Sequence, residues 1–388
     1  MINFHNTEIA FSGKTNQELK KSLRLFKMIG KPLLVKIGNP LLSFANLIHF
    51  PIGWIVKPTI FSHFCGGENI EECEKTIQML ASKNVGTILD YSAEGQDDEA
   101  SFEHTKTQLL QIIQKAKENK DIPFSVFKTT GLARLALLEK VNAKEKLTEN
   151  EIIEFENIKK RIHEISSLAH QFDVPIFIDA EETWIQNPID EIALEMMRTY
   201  NKEKTIIYNT IQMYRHDRLD YLKEIIEIAE KENFHLGFKI VRGAYMEKER
   251  ERALKQNYPS PIYENKEKTD QAYNESLSFC IEHIDRIAIC AGTHNEESSA
   301  HLVNLLEKAK LPSNFHKVYF SQLLGMSDHI SYNLSALNYN VVKYVPFGPI
   351  KSVLPYLIRR AEENTSIAGQ TGRELMLLKT EIKRRKDL

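Results

Sequence analysis

Late in the chain two arginines stand side by side, Arg359 and Arg360, with Glu363 three or four residues further on. On a helix that spacing puts the carboxylate on a neighbouring face. Adjacent guanidiniums suit a carboxylate or phosphate, because each planar fork grips two oxygens at once. A solvated Arg-Arg-Ala-Glu-Glu surface turn is the competing reading. Other reactive or binding residue types recur upstream, each close to the end of an apolar run: Lys128, Asp179, Gln212, Lys239, His294 and Tyr344. Each alone has an ordinary explanation. A strand-end lysine is solvated, Asp179 caps the next segment, His294 is a hydrogen-bonded structural histidine, Gly243 marks a tight turn, and Tyr245 and Tyr344 close a rim. Taken together they favour one site, because unrelated runs deliver polar or aromatic groups to the same kind of position.

The elements that must position them are read from periodicity. Short, nearly continuous apolar runs occur at Val85–Tyr91, Pro123–Thr130, Val174–Asp179, Thr205–Gln212, His235–Val241, Arg286–Ala291, Lys317–Ser321 and from Asn340 to Gly348. Helical stretches separate them, over about 101–119, 132–140, 142–172, 188–200, 218–233, 263–283, 296–309 and 327–336. Thr148-Glu-Asn-Glu151 is a capping box ahead of an apolar stripe from Phe155 to Ala169. Ser352 is expected to cap the last of these helices, with Pro355 in its first turn. Buried strands alternating with helices mean a parallel sheet covered by helices. Eight such units over about 290 residues predict a distorted (β/α)8, TIM-like barrel, whose chemistry belongs at the C-terminal strand ends. A doubly wound sheet is the alternative, but no glycine-rich turn follows the first strand. The expected division is an N-terminal helical arm over 1–75, a barrel over 76–370 and a C-terminal helix over 371–388.

Composition narrows the partners. The 388 residues carry a formal net charge of −2, so nothing global calls for nucleic acid. Four cysteines without a Cys-x-x-Cys spacing point to reduced thiols rather than zinc or disulfides. No secretory signal is expected from the first residues. Residues 14–64 combine eight basic side chains with one glutamate and with interrupted apolar runs. That composition fits an arm wrapped on the main domain and also a peripheral contact with a membrane surface. The acidic run Glu94–Glu99 lacks a calcium-loop spacing and reads as solvated.

Between residues 85 and 370 the sequence resembles the proline dehydrogenase family. The resemblance rests on Phe127-Lys128, Ile178-Asp-Ala-Glu-Glu182, Tyr208–Tyr214, Lys239-Ile-Val-Arg-Gly-Ala-Tyr245, Thr293-His-Asn295, Gln322-Leu-Leu-Gly-Met326 and Tyr344–Gly348. Its strongest element is Tyr356-Leu-Ile-Arg-Arg-Ala-Glu-Glu-Asn364. The single-activity form is the closer match, and Lys239 stands where the fused bacterial form has arginine. The resemblance implies a distorted (β/α)8 flavoenzyme that oxidises L-proline to Δ1-pyrroline-5-carboxylate with FAD and passes electrons to a quinone. Lys128, Arg359 and Arg360 would clamp the substrate carboxylate, Glu363 would orient a guanidinium, and Asp179 would pair with a lysine. Tyr245, Leu323, Tyr344 and Tyr356 would wall the ring. The cofactor would meet Gln212, Lys239, Val241, Gly243 and Tyr245 on one side, and Thr293, His294, Asn295, Gln322 and Glu363 on the other. Substrate amine must be neutral to release hydride, so the rate is expected to rise with pH. The expected location is the cytoplasmic face of a membrane. Competing readings are a 4-hydroxyproline dehydrogenase, which the bulk of Tyr344 opposes, a Schiff-base lyase using Lys128 or Lys239, a metal enzyme built on Asp179, Glu181 and Glu182, and a membrane-surface binding module.

Overall fold

The computed structural model describes residues 2–29, 56–92, 97–366 and 370–387, and the side chains of 361–371 lie outside that description. Eight parallel strands close a barrel in sequence order: β1 (Val85–Tyr91), β2 (Phe124–Lys128), β3 (Ile176–Asp179), β4 (Ile207–Gln212), β5 (Leu236–Val241), β6 (Ile287–Gly292), β7 (Val318–Leu323) and β8 (Val341–Phe347). β1 closes on β8, in register from Val85 beside Val341 to Tyr91 beside Phe347. The (β/α)8 expectation therefore holds, strand by strand.

Fourteen α-helices longer than three residues are described: α1 (Thr7–Ala10), α2 (Asn16–Ile29), α3 (Ile70–Ala81), α4 (Glu99–Glu118), α5 (Leu135–Asn142), α6 (Glu149–Phe172), α7 (Thr183–Tyr200), α8 (Arg218–Glu232), α9 (Met246–Gln256), α10 (Lys266–Glu282), α11 (Glu296–Lys308), α12 (Asp328–Ala336), α13 (Ile350–Ser366) and α14 (Gln370–Arg384). Local chemistry accounts for several boundaries. Both bonds of the Thr148–Glu151 capping box form at the start of α6, and Asp173 ends it in the left-handed conformation. The stripe Ile158, Ile162, Ile165 and Ala169 is buried.

Three expectations need correcting. Periodicity predicts no helix at α9; it buries only Glu249 and Ala253, so it has no apolar stripe to betray it. α13 starts at Ile350, directly after Pro349, whose carbonyl accepts from the N–H groups of Ser352 (2.8 Å) and Val353 (3.1 Å). Ser352 is thus inside the helix rather than its cap, and Pro355 falls beyond the first turn. Part of the Glu94–Glu99 run lies outside the described residues, as do the apolar runs of the arm at 32–35 and 41–48 and all but Val56 of the run 52–56.

The period of two along each strand sorts its residues between two cores. Outward residues meet the helices in the main core. Inward residues Ile88, Phe124, Val126, Phe177, Tyr208, Ala288, Cys290, Val342 and Tyr344 fill the barrel. Phe124 stacks on Phe177 at 4.5 Å, with Tyr208 and Tyr319 edge-on at 5.6 and 4.8 Å. This aromatic floor leaves the next inward positions, nearer the C-terminal strand ends, to polar side chains.

A third cluster joins the two ends of the chain. Phe11, Leu19, Leu25 and Phe26 pack with Phe61, Phe64, Val353, Leu357, Leu377 and Leu378, so α1 and α2 lie against α13 and α14. Arg385 donates to the carbonyls of Phe11 (2.8 Å) and Lys14 (2.7 Å).

Candidate active site

Strands β1, β2, β3, β5 and β8 each send one inward polar residue to the same level: Asp90, Lys128, Asp179, Lys239 and Tyr344. Asp179 was expected either to cap the following segment or to pair with a lysine, and it pairs. Its carboxylate is held by the Lys239 ammonium and lies 3.5 Å from that of Lys128. Lys239 also donates to the Tyr344 hydroxyl at 2.7 Å, and its ammonium stands 4.5 Å from the centre of that ring. Asp90 completes the group, 3.3 Å from Lys128. Two carboxylates and two ammoniums thus balance in a water-poor interior, as buried charge requires. Burial pushes Asp90 up, and the neighbouring Asp179 adds to this against the pull of Lys128. Burial acts on Asp179 too, but Lys239 and Lys128 outweigh it and hold the carboxyl below its ordinary range. Tyr344 is pushed well up, by burial first and then by Asp179.

Beside this group the loop after β3 bends Glu181 back toward the loop after β2. Its carboxylate accepts from the Thr130 N–H at 2.9 Å and from the Thr130 hydroxyl. Burial pushes Glu181 up to about 7. Glu182 is ion-paired with Lys248 at 2.8 Å. The half-buried Tyr245, at the start of α9, has its hydroxyl pushed well up by burial and then by Glu181 and Glu182, against Lys128 and Arg359. Lys128 and Arg359 therefore both lie within electrostatic reach of Tyr245. Adjacent helix residues point about 100° apart, and the two arginines divide accordingly. Arg359 acts on Tyr245, whereas Arg360 lies over the Tyr356 ring, 5.3 Å from its centre, and acts on His294. Leu323 bridges the barrel interior and the cluster that contains Tyr356. The Glu363 side chain lies outside the described residues.

The strand ends of β4 to β7 form a second polar group. Thr293 accepts from Arg242 at 2.7 Å, and Arg242 also bonds Asp270 at 2.6 Å and Ser298 at 2.9 Å. Asn295 caps α11 by accepting from the Ser298 N–H at 2.9 Å. Gln322 is on the outward phase of β7; it donates to the Thr293 carbonyl at 3.1 Å and accepts from Ser331 at 2.8 Å. Its amide braces the strand end from behind. His294 is pushed down to about 3 by burial, then by Lys343 and Arg360, so its imidazole is neutral. Val241 ends β5, where its carbonyl accepts from the Met213 N–H at 2.8 Å. Gly243 has φ +132°, and a Cβ there would lie 2.6 Å from the Tyr214 ring, so the turn it makes excludes any side chain. Gln212, on the inward phase, keeps a buried Oε1 without a hydrogen-bond partner among the described residues.

Sequence reasoning missed two members. Asp90 sits within the run Val85–Tyr91, and an acid in an otherwise apolar strand was the available signal. Arg242 lies inside a family motif that implies no role for it, although its three bonds tie the end of β5 to α10, to α11 and to Thr293 just past β6. In the described residues there is no group of three or more histidine, cysteine, aspartate or glutamate side chains placed to hold a metal ion.

The fold and the site define a (β/α)8 barrel with a cluster of buried charges and aromatic rings at its C-terminal strand ends. The chain belongs to the proline dehydrogenase family: residues 73–373 match that family's model. It is 35% identical over 379 residues to proline dehydrogenase 1, mitochondrial, of Dictyostelium discoideum, covering 86% of this chain and 66% of that protein. It is 33% identical over 367 residues to the carbapenem antibiotics biosynthesis protein CarD of Pectobacterium carotovorum subsp. carotovorum, covering 95% and 91%. Among solved structures, proline utilization A from Bdellovibrio bacteriovorus superposes with a TM-score of 0.73 at 19% identity, over 95% of this chain and 40% of that one. The chain thus spans just under two thirds of the first relative and less than half of the solved protein.

Proposed function

We propose that the protein oxidises L-proline to Δ1-pyrroline-5-carboxylate, with FAD as its cofactor and a quinone as the final acceptor. The observation that carries this reading is the grouping of Lys128, Asp179, Lys239, Tyr344, Tyr245 and Arg359 at one mouth of a barrel of this family. A cyclic amino acid presents a carboxylate, a secondary amine and three methylenes, and the recess offers cations and aromatic walls to match. Arg359 and Lys128 would bind the carboxylate, with Arg360 next to them toward His294. Asp179 and Asp90 offset the lysines while the recess holds no substrate. Tyr344, Tyr245 and Leu323 would fix the ring so that C5 faces the acceptor. The hydride leaves C5, the amine proton leaves nitrogen, and a C=N bond remains.

The residues present fit FAD on one test internal to the structure. The buried Gln212 Oε1 awaits a donor, and His294 is a neutral ring whose described contact uses Nδ1 only. Gln212, Thr293 and His294 would hold the cofactor, with Val241, Gly243 and Asn295 shaping the backbone beside it. A bound flavin would supply the hydride acceptor that side chains lack. The Schiff-base alternative is opposed by Lys239, which is tied to Asp179 and Tyr344 as a charged donor, whereas a nucleophilic lysine must be neutral.

No described helix is long and apolar enough to cross a membrane. Peripheral contact is proposed instead through the exposed face of α2, where Lys20, Lys21 and Lys27 lie. The deciding experiment is the visible spectrum of the purified protein. Flavin bands that bleach anaerobically with L-proline support the whole reading; a colourless protein unchanged by added FAD overturns it.

A further inference from the structure

The Nδ1 atom of His294 lies 3.0 Å from the hydroxyl oxygen of Ser327. Ser327 is buried, with φ 50° and ψ 42°. That left-handed conformation is sterically unfavourable for a serine, so something must hold it. The support comes from the other end of the chain. The Ser327 N–H donates to Oε1 of Glu374 at 2.7 Å, and Glu374, on α14, is only 5% exposed. The next residue, Asp328, is clamped as well: Lys14 from the arm and Lys343 from β8 reach it at 2.7 and 2.8 Å. The match to the family spans residues 73–373, so Glu374 and Lys14 both lie beyond it.

We infer that Glu374 is a positioning residue for the cofactor side of the site. By holding Ser327 in its left-handed turn, it fixes the plane and the tautomer of His294. Among the described contacts, His294 Nδ1 is the one acceptor the Ser327 hydroxyl hydrogen meets. The hydroxyl therefore donates, the ring proton resides on Nε2, and Nε2–H is offered as a donor to an acceptor atom of the ligand. The C-terminal helix thus builds the site through Ser327 and His294, by a bond made behind them. This rests on the reading that His294 faces FAD.

The test uses the full-length holoenzyme and two readouts. One is the ring 15N shifts of His294, and the other is FAD released on dilution, followed by flavin fluorescence. Wild type is expected to show proton on Nε2 alone. Glu374→Ala should give mixed tautomers and bind FAD about five- to tenfold more weakly, the worth of one ordered hydrogen bond. Glu374→Gln keeps an acceptor oxygen and should restore both readouts. Ser327→Gly tolerates the left-handed turn and removes only the hydroxyl, so it should copy Glu374→Ala even if that variant folds poorly. In a His294→Ala background, Glu374→Ala should add no further loss. An undiminished loss in that background, or an unchanged tautomer in both Glu374→Ala and Ser327→Gly, overturns the role of Glu374. Normal FAD retention by His294→Ala overturns the placement of His294 at the cofactor, and this inference with it.

Discussion

Replacing Asp179 by asparagine removes one charge from the centre of the barrel while keeping its shape. The Lys239 side chain is 7% exposed and Lys128 25%, so Lys239 has little water to turn to. At an effective dielectric of 20, the 3.5 Å contact with Lys128 alone corresponds to roughly 5 kcal/mol of attraction. Breaking a buried pair by deleting one partner costs about 3–5 kcal/mol. The lower end applies here, because Asp90 still faces Lys128 at 3.3 Å and the Tyr344 hydroxyl still accepts from Lys239 at 2.7 Å. A loss of about 3 kcal/mol moves a urea midpoint down by about 1 M at an m-value of about 3 kcal/mol/M. Adding Lys239→Met removes the stranded ammonium and should recover about 2 kcal/mol of that loss. The effect also has a sign in pH. The folded-state pKa of Asp179 is depressed, so its stabilisation is present above the ordinary carboxylate value of about 3.9. It fades as pH falls through the depressed value, and wild type and Asp179→Asn should converge there. A midpoint shift below about 0.2 M, or strict additivity with Lys239→Met, would refute the account of a mutually neutralised interior.

Other outcomes follow from the same site. Glu181 has a raised pKa of about 7, so its protonated form stabilises the fold at low pH and that contribution disappears as pH rises from about 4.5. Thermal denaturation of Glu181→Gln against pH should show the variant gaining on wild type across that window, by up to about 3 kcal/mol at about 1.36 kcal/mol per pH unit; parallel curves would contradict it. Arg359→Ala should cut kcat/KM for L-proline by roughly 30- to 1000-fold through loss of a buried charged contact, while flavin content stays near wild type. Joint loss of flavin would assign α13 to the cofactor instead. Reversing Lys20, Lys21 and Lys27 to glutamate should abolish sedimentation with anionic vesicles and leave the melting temperature nearly unchanged. Deleting the arm would not serve, since that would strip Phe11, Leu19 and Phe26 from the cluster shared with α13 and α14.

The barrel was readable because its strands are buried on both faces and therefore stand out as apolar runs. β4 is buried at every position, and its sequence, Ile-Tyr-Asn-Thr-Ile-Gln, already reads as strand. α9 was not readable, since Glu249 folds inward to accept from the Thr183 N–H at 2.7 Å and the helix shows no apolar stripe. The pairing of Asp179 followed from the need to neutralise a buried charge. Its main partner, Lys239, is 60 residues away, and only strand closure brings the two together. Gln322 carries the opposite lesson: a one-residue change of phase along β7 sends it behind the site while Leu323 faces inward. The bond between Glu374 and Ser327 spans 47 residues and joins elements with no periodic relation, so no local pattern announces it.

The clasp between the two ends of the chain also orders events during synthesis. α1 and α2 are translated well before α13 and α14, whose Val353, Leu357, Leu377 and Leu378 help to cover Phe11, Leu19 and Phe26. At about 5–20 residues per second, Ile29 waits roughly 20–70 s for Arg385 to be translated. For that interval an amphipathic, basic helix lacks the part of its seat that α13 and α14 supply. A nascent chain stalled before residue 370 would carry all eight strands and α13, and still lack Glu374 and the part of that seat that α14 supplies.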